Sequence, residues 1–202
     1  MAVDLRLLEA LVRKRSPVLV VLAGSNGAGK TTFYETFLEP RRLQFVNADR
    51  IAATLLPDSP NAVSLQAAEA ARLMRKDIIS RKQTFVMETV FSDRSGAKLN
   101  ELRDAQQRGF AVVLIFIGIE SPVLSEIRVQ GRVGHGGHDV QREFIRDRFP
   151  RTLENLKRAL QFVDVALLLD NSSAEQPYRW VATWRDGRAV QEAAVLPAWY
   201  PE

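Results

Sequence analysis

Short apolar runs alternate with longer amphipathic stretches over most of the chain, the pattern of strands interleaved with helices. Val18 to Ala23 follows Pro17 and is wholly apolar, as a strand buried on both faces should be. Lys30 to Leu38 reads as a helix stopped before Pro40, and Leu43 to Asp49 as a short strand with a polar end. Residues 50–61 hold Pro57 and Pro60 and read as a loop with a helical turn; a long helix runs from about Ala62 to Arg81. Thr84 to Val90 is the third strand. Asp93 can cap a helix reaching Arg108, with Gly109 at its end. Ala111 to Ile119 is nearly all apolar and makes a central strand, and Ser121-Pro122 opens a helix to Val133.

The GHGGHD stretch at 134–139 breaks that helix. A second begins near Val140, is interrupted at Pro150, and gives way to an amphipathic stretch ending at Phe162. Val165 to Asp170 is the fifth strand. Tyr178 to Trp184, an Asp186-Gly187 turn and Arg188 to Val195 form a terminal β-hairpin. Before the first strand, Leu7, Leu8, Leu11 and Val12 share one face of a helix over residues 3–15. The expected architecture is α/β: a doubly wound, mainly parallel five-stranded sheet with a helical lid and a C-terminal hairpin, residues 1–202 forming one domain with the lid at about 126–150.

The break between the first strand and its helix carries the strongest chemistry. Gly24, Ser25, Asn26, Gly27, Ala28, Gly29, Lys30, Thr31 and Thr32 contain G-x-x-x-x-G-K-[ST], a loop whose backbone N–H groups turn inward around phosphates. Lys30 reaches the β- and γ-phosphates, the Thr31 hydroxyl ligates Mg²⁺, and the helix dipole adds to the site. ATP with Mg²⁺ is the natural occupant. Strand–helix alternation brings Lys30, Asp49, Glu88, Thr89 and the 118–122 turn to one rim of the sheet, where ligands of open α/β folds bind. Asp49 is the candidate general base, able to take a proton from a substrate hydroxyl, and can also cap the helical turn after it. Glu88 follows its strand as a carboxylate that serves Mg²⁺ through water or holds a substrate hydroxyl, with Thr89 beside it.

Residues 126–158 gather Arg128, Arg132, Arg142, Arg146, Arg148, Arg151 and Arg158. Arg128 and Arg132 are four apart and share a helical face. Arg128, Arg132 and Arg148 are the expected cations for the transferring phosphoryl group, the rest being surface. His135 and His138 are the only histidines, too few for a metal site, and read as polar lid residues.

Composition narrows the rest. At 202 residues, 46% hydrophobic and 26% charged, the chain is ordinary globular material. With no cysteine it has no disulfide or thiolate chemistry, which fits a cytoplasmic protein. Neither signal peptide nor membrane span is expected. A net charge of +4 and the lack of aromatics among the arginines argue against a nucleic-acid partner.

LAGSNGAGKTTF, FVNADRIA, FVMETVFS, RVGHGGHDV, IRDRFPRTLENL and LLLDNS occur in that order between Leu19 and Ser172. In these the chain resembles the zeta-toxin-like P-loop kinases, especially the bacterial branch often labelled predicted ABC-type ATPases. It has no LSGGQ-like stretch with which ABC ATPases complete their site. The resemblance implies a nucleotide-kinase fold and transfer of the ATP γ-phosphate to a sugar hydroxyl of UDP-N-acetylglucosamine. It places Lys30 and Thr31 at ATP–Mg²⁺, Asp49 as base, and Glu88 and Thr89 against the substrate. For the lid it implies two arginines: Arg132, and one of Arg142, Arg146 and Arg148. As partners it implies a small hydroxylated acceptor and, for a toxin, a separate antitoxin protein. Two other readings remain open: an ATP-hydrolysing interaction module, motivated by Trp180 and Trp184 on the hairpin, and a polynucleotide kinase, which the modest charge disfavours.

Overall fold

The computed structural model describes residues 17–133 and 141–201, apart from the side chains of Asn61, Arg132 and Val133. The expected helix over 3–15 and both histidines lie outside them. The strands are β1 (Val18–Ala23), β2 (Gln44–Val46), β3 (Phe85–Thr89), β4 (Ala111–Gly118), β5 (Val165–Asp170), β6 (Arg179–Arg185) and β7 (Arg188–Glu192). They form one sheet in the order β2-β3-β1-β4-β5-β6-β7, parallel from β2 to β5 and antiparallel thereafter. The sheet therefore has seven strands rather than five. The terminal hairpin is no separate appendage, because β6 pairs with β5 from Asp170↔Arg179 to Val165↔Arg185.

Alternate residues of β1 feed two cores. Leu19, Val21 and Ala23 pack against α3 (Ser64–Ser80) and α4 (Ala97–Gln107). Val18, Val20 and Leu22 pack against α1 (Lys30–Phe33) and the π-helical turn Tyr34–Leu38 that continues it. Helix α5 (Pro122–Val133) follows β4. Helix α6 (Arg142–Leu160) gives Phe149 to the α1 side and Leu156, Ala159 and Leu160 to the other. Pro150 sits inside it without interrupting it. Buried residues on both sides of the proline, from Ile145 to Leu160, anchor the helix and offset a cost of about 3 kcal/mol.

Two further boundaries differ from expectation. Residues 50–61 are not mostly loop: α2 covers Ala48–Leu55, and Asn47 rather than Asp49 caps it, its Oδ1 accepting from Arg50 N at 2.9 Å. Gly96 holds the N-cap position of α4, while the Asp93 carboxylate accepts from Lys98 N at 3.3 Å from outside the helix. Among the described residues no helix is long and apolar enough to cross a membrane.

Gly118, at the end of β4, touches the ring of the buried Trp199. A Cβ there would lie 2.2 Å from its Cε2. The indole is also held by its Nε1 donating to Asp170 at 3.1 Å, so it cannot swing away freely. Gly118→Ala is expected to destabilise the fold by about 2 kcal/mol through overpacking, seen as a lower midpoint in thermal unfolding.

Candidate active site

The glycine loop adopts the conformation that its residues suggest. Gly29 has φ 92°, a left-handed value open to glycine, and serves as the N-cap of α1 without a side-chain cap. At Gly24 a Cβ would stand 2.2 Å from the Ile117 carbonyl, so only glycine lets β4 approach this closely. Lys30 is nearly buried, and its ammonium donates to the Ser25 carbonyl at 2.9 Å, curling back over the loop.

Glu88 is where three elements meet. Its carboxylate lies 3.9 Å from Lys30 Nζ, accepts from the Thr31 hydroxyl at 3.4 Å, and accepts from Asn47 Nδ2 at 2.8 Å. Its side chain is 10% exposed, so these contacts act in a partly desolvated place where they are stronger than in water. The structure thus brings Lys30, Thr31 and Glu88 together and adds Asn47, absent from the candidates the sequence offered. Asn47 spends both ends of its amide: the oxygen caps α2 and the nitrogen orients Glu88. The sequence signal for it was available, a cap-forming residue directly after a strand and before a helical run.

Asp49 is exposed in the first turn of α2, three residues beyond β2 rather than at the strand's end. Thr89 turns inward to its own loop, accepting from Phe91 N at 3.0 Å. That loop is held from α6: Thr152 donates to the Val90 carbonyl at 2.9 Å and Asn155 to the Phe91 carbonyl at 3.0 Å.

The arginines separate into groups. Arg146 is committed to Glu126 of α5 through two bonds, at 2.6 and 3.2 Å, and this hydrogen bonding holds the Glu126 carboxyl below its ordinary range. Arg151 pairs with Asp147 and donates to the Ser92 carbonyl. Arg128 donates to the carbonyls of Asn171 and Ser172 at 2.7 and 3.2 Å. Arg148 lies over the Phe144 ring with its guanidinium carbon 5.7 Å from the centroid. Helix α5 is pinned to the loop by Ser125, whose hydroxyl donates to the Asn26 carbonyl.

This geometry, a glycine loop facing a carboxylate at the rim of a parallel sheet, agrees with comparison against known proteins. The model of the family described as zeta toxin matches residues 5–186. The chain belongs to the zeta toxin family. An uncharacterized protein of Haemophilus influenzae (strain ATCC 51907 / DSM 11121 / KW20 / Rd) is 27% identical over 143 residues, 69% of this chain and all of the relative. Among solved structures, the PezAT chromosomal toxin–antitoxin system of the human pathogen Streptococcus pneumoniae superposes with a TM-score of 0.61 at 16% identity, covering 96% of this chain and 81% of the other. AvrRxo1-ORF1:-ORF2 with ATP gives 0.59 at 16% identity, covering 92% of this chain and 64% of the other, so the zeta toxin chain spans under two thirds of that protein. These likenesses show the P-loop kinase fold.

Proposed function

We propose that this zeta toxin family chain is an ATP-dependent phosphotransferase acting on a hydroxyl of a small acceptor, a nucleotide sugar such as UDP-N-acetylglucosamine. The observation that carries this reading is the convergence of Lys30, Thr31 and Asn47 on Glu88 at the mouth of the phosphate loop. Residues 1–202 act in it as one kinase-like domain. The ATP held by AvrRxo1 supports the choice of nucleotide.

In this reading the loop from Gly24 to Thr32 cradles the phosphates, and the Lys30 ammonium leaves the Ser25 carbonyl for the β- and γ-phosphate oxygens. The Thr31 hydroxyl and the Glu88 carboxylate would hold Mg²⁺. They are hard oxygen donors already within hydrogen-bonding reach of each other, and so small a protein ligand set suits an ion that keeps most of its water. When bound, the ion neutralises phosphate charge. Asp49 accepts the proton of the acceptor hydroxyl as its oxygen bonds to the γ-phosphorus; the bond from that phosphorus to the bridging oxygen breaks and ADP leaves. Arg128, Arg132 and Arg148 supply positive charge to the phosphoryl oxygens, which requires Arg128 to exchange its carbonyl partners for phosphate. Glu88 and Thr89 line the acceptor side. The toxin–antitoxin system among the structural likenesses supports a separate antitoxin as protein partner.

Titration calorimetry with ATP and Mg²⁺ tests the nucleotide site. Lys30→Met is expected to weaken ATP at least tenfold; equal affinity in the two proteins contradicts the reading.

A further inference from the structure

A loop that turns its N–H groups inward to phosphate turns carbonyls outward, and those carbonyls need donors. The segment joining β5 to β6 donates to two of them, of which the Gly29 carbonyl also accepts from Phe33 N at 2.9 Å. Asn171 Nδ2 donates to the Ala28 carbonyl at 2.9 Å, and the Tyr178 hydroxyl donates to the Gly29 carbonyl at 2.9 Å. Asn171 Oδ1 in turn accepts from Tyr178 N at 3.3 Å, so the two donors brace each other. They sit directly against the loop: a Cβ on Gly29 would lie 2.6 Å from Asn171 Nδ2 and 3.0 Å from the Tyr178 oxygen.

The Tyr178 ring is set by edge-on contacts with Phe33, centroids 5.2 Å apart, and Phe37, 5.8 Å apart, both on the helix that begins at the loop. Its backbone has φ 53°, a left-handed value that non-glycine residues seldom adopt and that often marks a functional constraint. Burial pushes the phenol up, against a Thr32 hydrogen bond and the charge of Arg128, so at neutral pH it keeps the proton that it donates.

We infer that Tyr178 is a positioning residue for the bound nucleotide, its hydroxyl holding the Gly29 peptide of the phosphate loop in the binding-competent arrangement. This couples nucleotide affinity to the C-terminal hairpin. The loop from Asp170 is tied there by Arg179, which donates to the Asp170 carboxylate at 3.1 Å and to the Val195 carbonyl at 3.0 Å. The inference rests on the proposal that the loop binds ATP.

Tyr178→Phe removes the hydroxyl and keeps the ring. Calorimetry with ATP–Mg²⁺ and, separately, with inorganic tripolyphosphate is expected to show Kd raised about tenfold for both ligands, with the unfolding midpoint within about 2 °C of wild type. Equal losses place the effect on the phosphate loop, since tripolyphosphate has no base or ribose. Wild-type affinities in the variant, or a loss for ATP alone, overturn the positioning role. Failure of the wild-type protein to bind either ligand overturns the ATP-site reading itself and the inference with it.

Discussion

Asp49→Asn is expected to slow phosphoryl transfer about a thousandfold while leaving ATP affinity within about twofold of wild type. A positioned general base contributes roughly 10²–10⁴ in rate, and the amide can neither take the acceptor's proton nor replace the charge. Asp49 is exposed in the first turn of α2, whose N-terminus Asn47 already caps, so the substitution removes only a favourable helix-dipole contact of about 0.3–1 kcal/mol. The fold should therefore survive and the loss should fall on the chemical step. ADP release with UDP-N-acetylglucosamine and ATP, measured beside calorimetric ATP binding, separates the two effects; transfer near the wild-type rate excludes Asp49 as base.

The second large effect concerns stability. Arg75 of α3 is 93% buried, its guanidinium bonded through Nε and Nη2 to the Glu101 carboxylate of α4, and Lys98 Nζ adds a contact at 2.7 Å. The cluster lines a groove of about 720 Å³ between the two helices. Glu101→Gln keeps the shape and leaves a buried guanidinium without its anion, which costs about 3 kcal/mol or more. For a chain of this length the thermal midpoint should drop by about 10 °C. Burial raises the Glu101 carboxyl, but the hydrogen bond from Arg75 and the charges of Lys98 and Arg75 outweigh it and hold it below its ordinary value. A depressed folded-state value means stabilisation present above the unfolded value of about 4.3 and lost as pH falls through the lower folded one. Wild type should thus lose stability below about pH 4 by a component that Glu101→Gln lacks; parallel acid titrations in the two proteins would refute the pair's role.

Strand–helix alternation, the glycine loop and the rim position of Glu88 were legible in the sequence because each is a local pattern: apolar runs, glycine spacing, a carboxylate at a strand end. What was not legible depends on partners distant in sequence. Pro150 reads as a helix break, yet residues on both faces of the sheet hold α6 across it. The hairpin reads as separate because nothing local reveals that β6 pairs with β5. Asn47 and Tyr178 are ordinary cap and turn residues by sequence, and gain their roles only when Glu88, 41 residues away from Asn47, and Gly29, 149 away from Tyr178, arrive beside them. The arginines were visible as a group, but their individual commitments, Arg146 to Glu126 and Arg128 to the Asn171 and Ser172 carbonyls, are set by helix packing.

Phosphorus NMR of the purified protein with ATP, Mg²⁺ and UDP-N-acetylglucosamine, run beside Asp49→Asn, tests the central claim most directly. A new phosphomonoester resonance that grows as ADP appears, and is lost in Asp49→Asn, is the expected result. ATP that stays intact, or is converted only to inorganic phosphate whether or not the sugar nucleotide is present, would contradict the assignment of that acceptor and of Asp49 as its base.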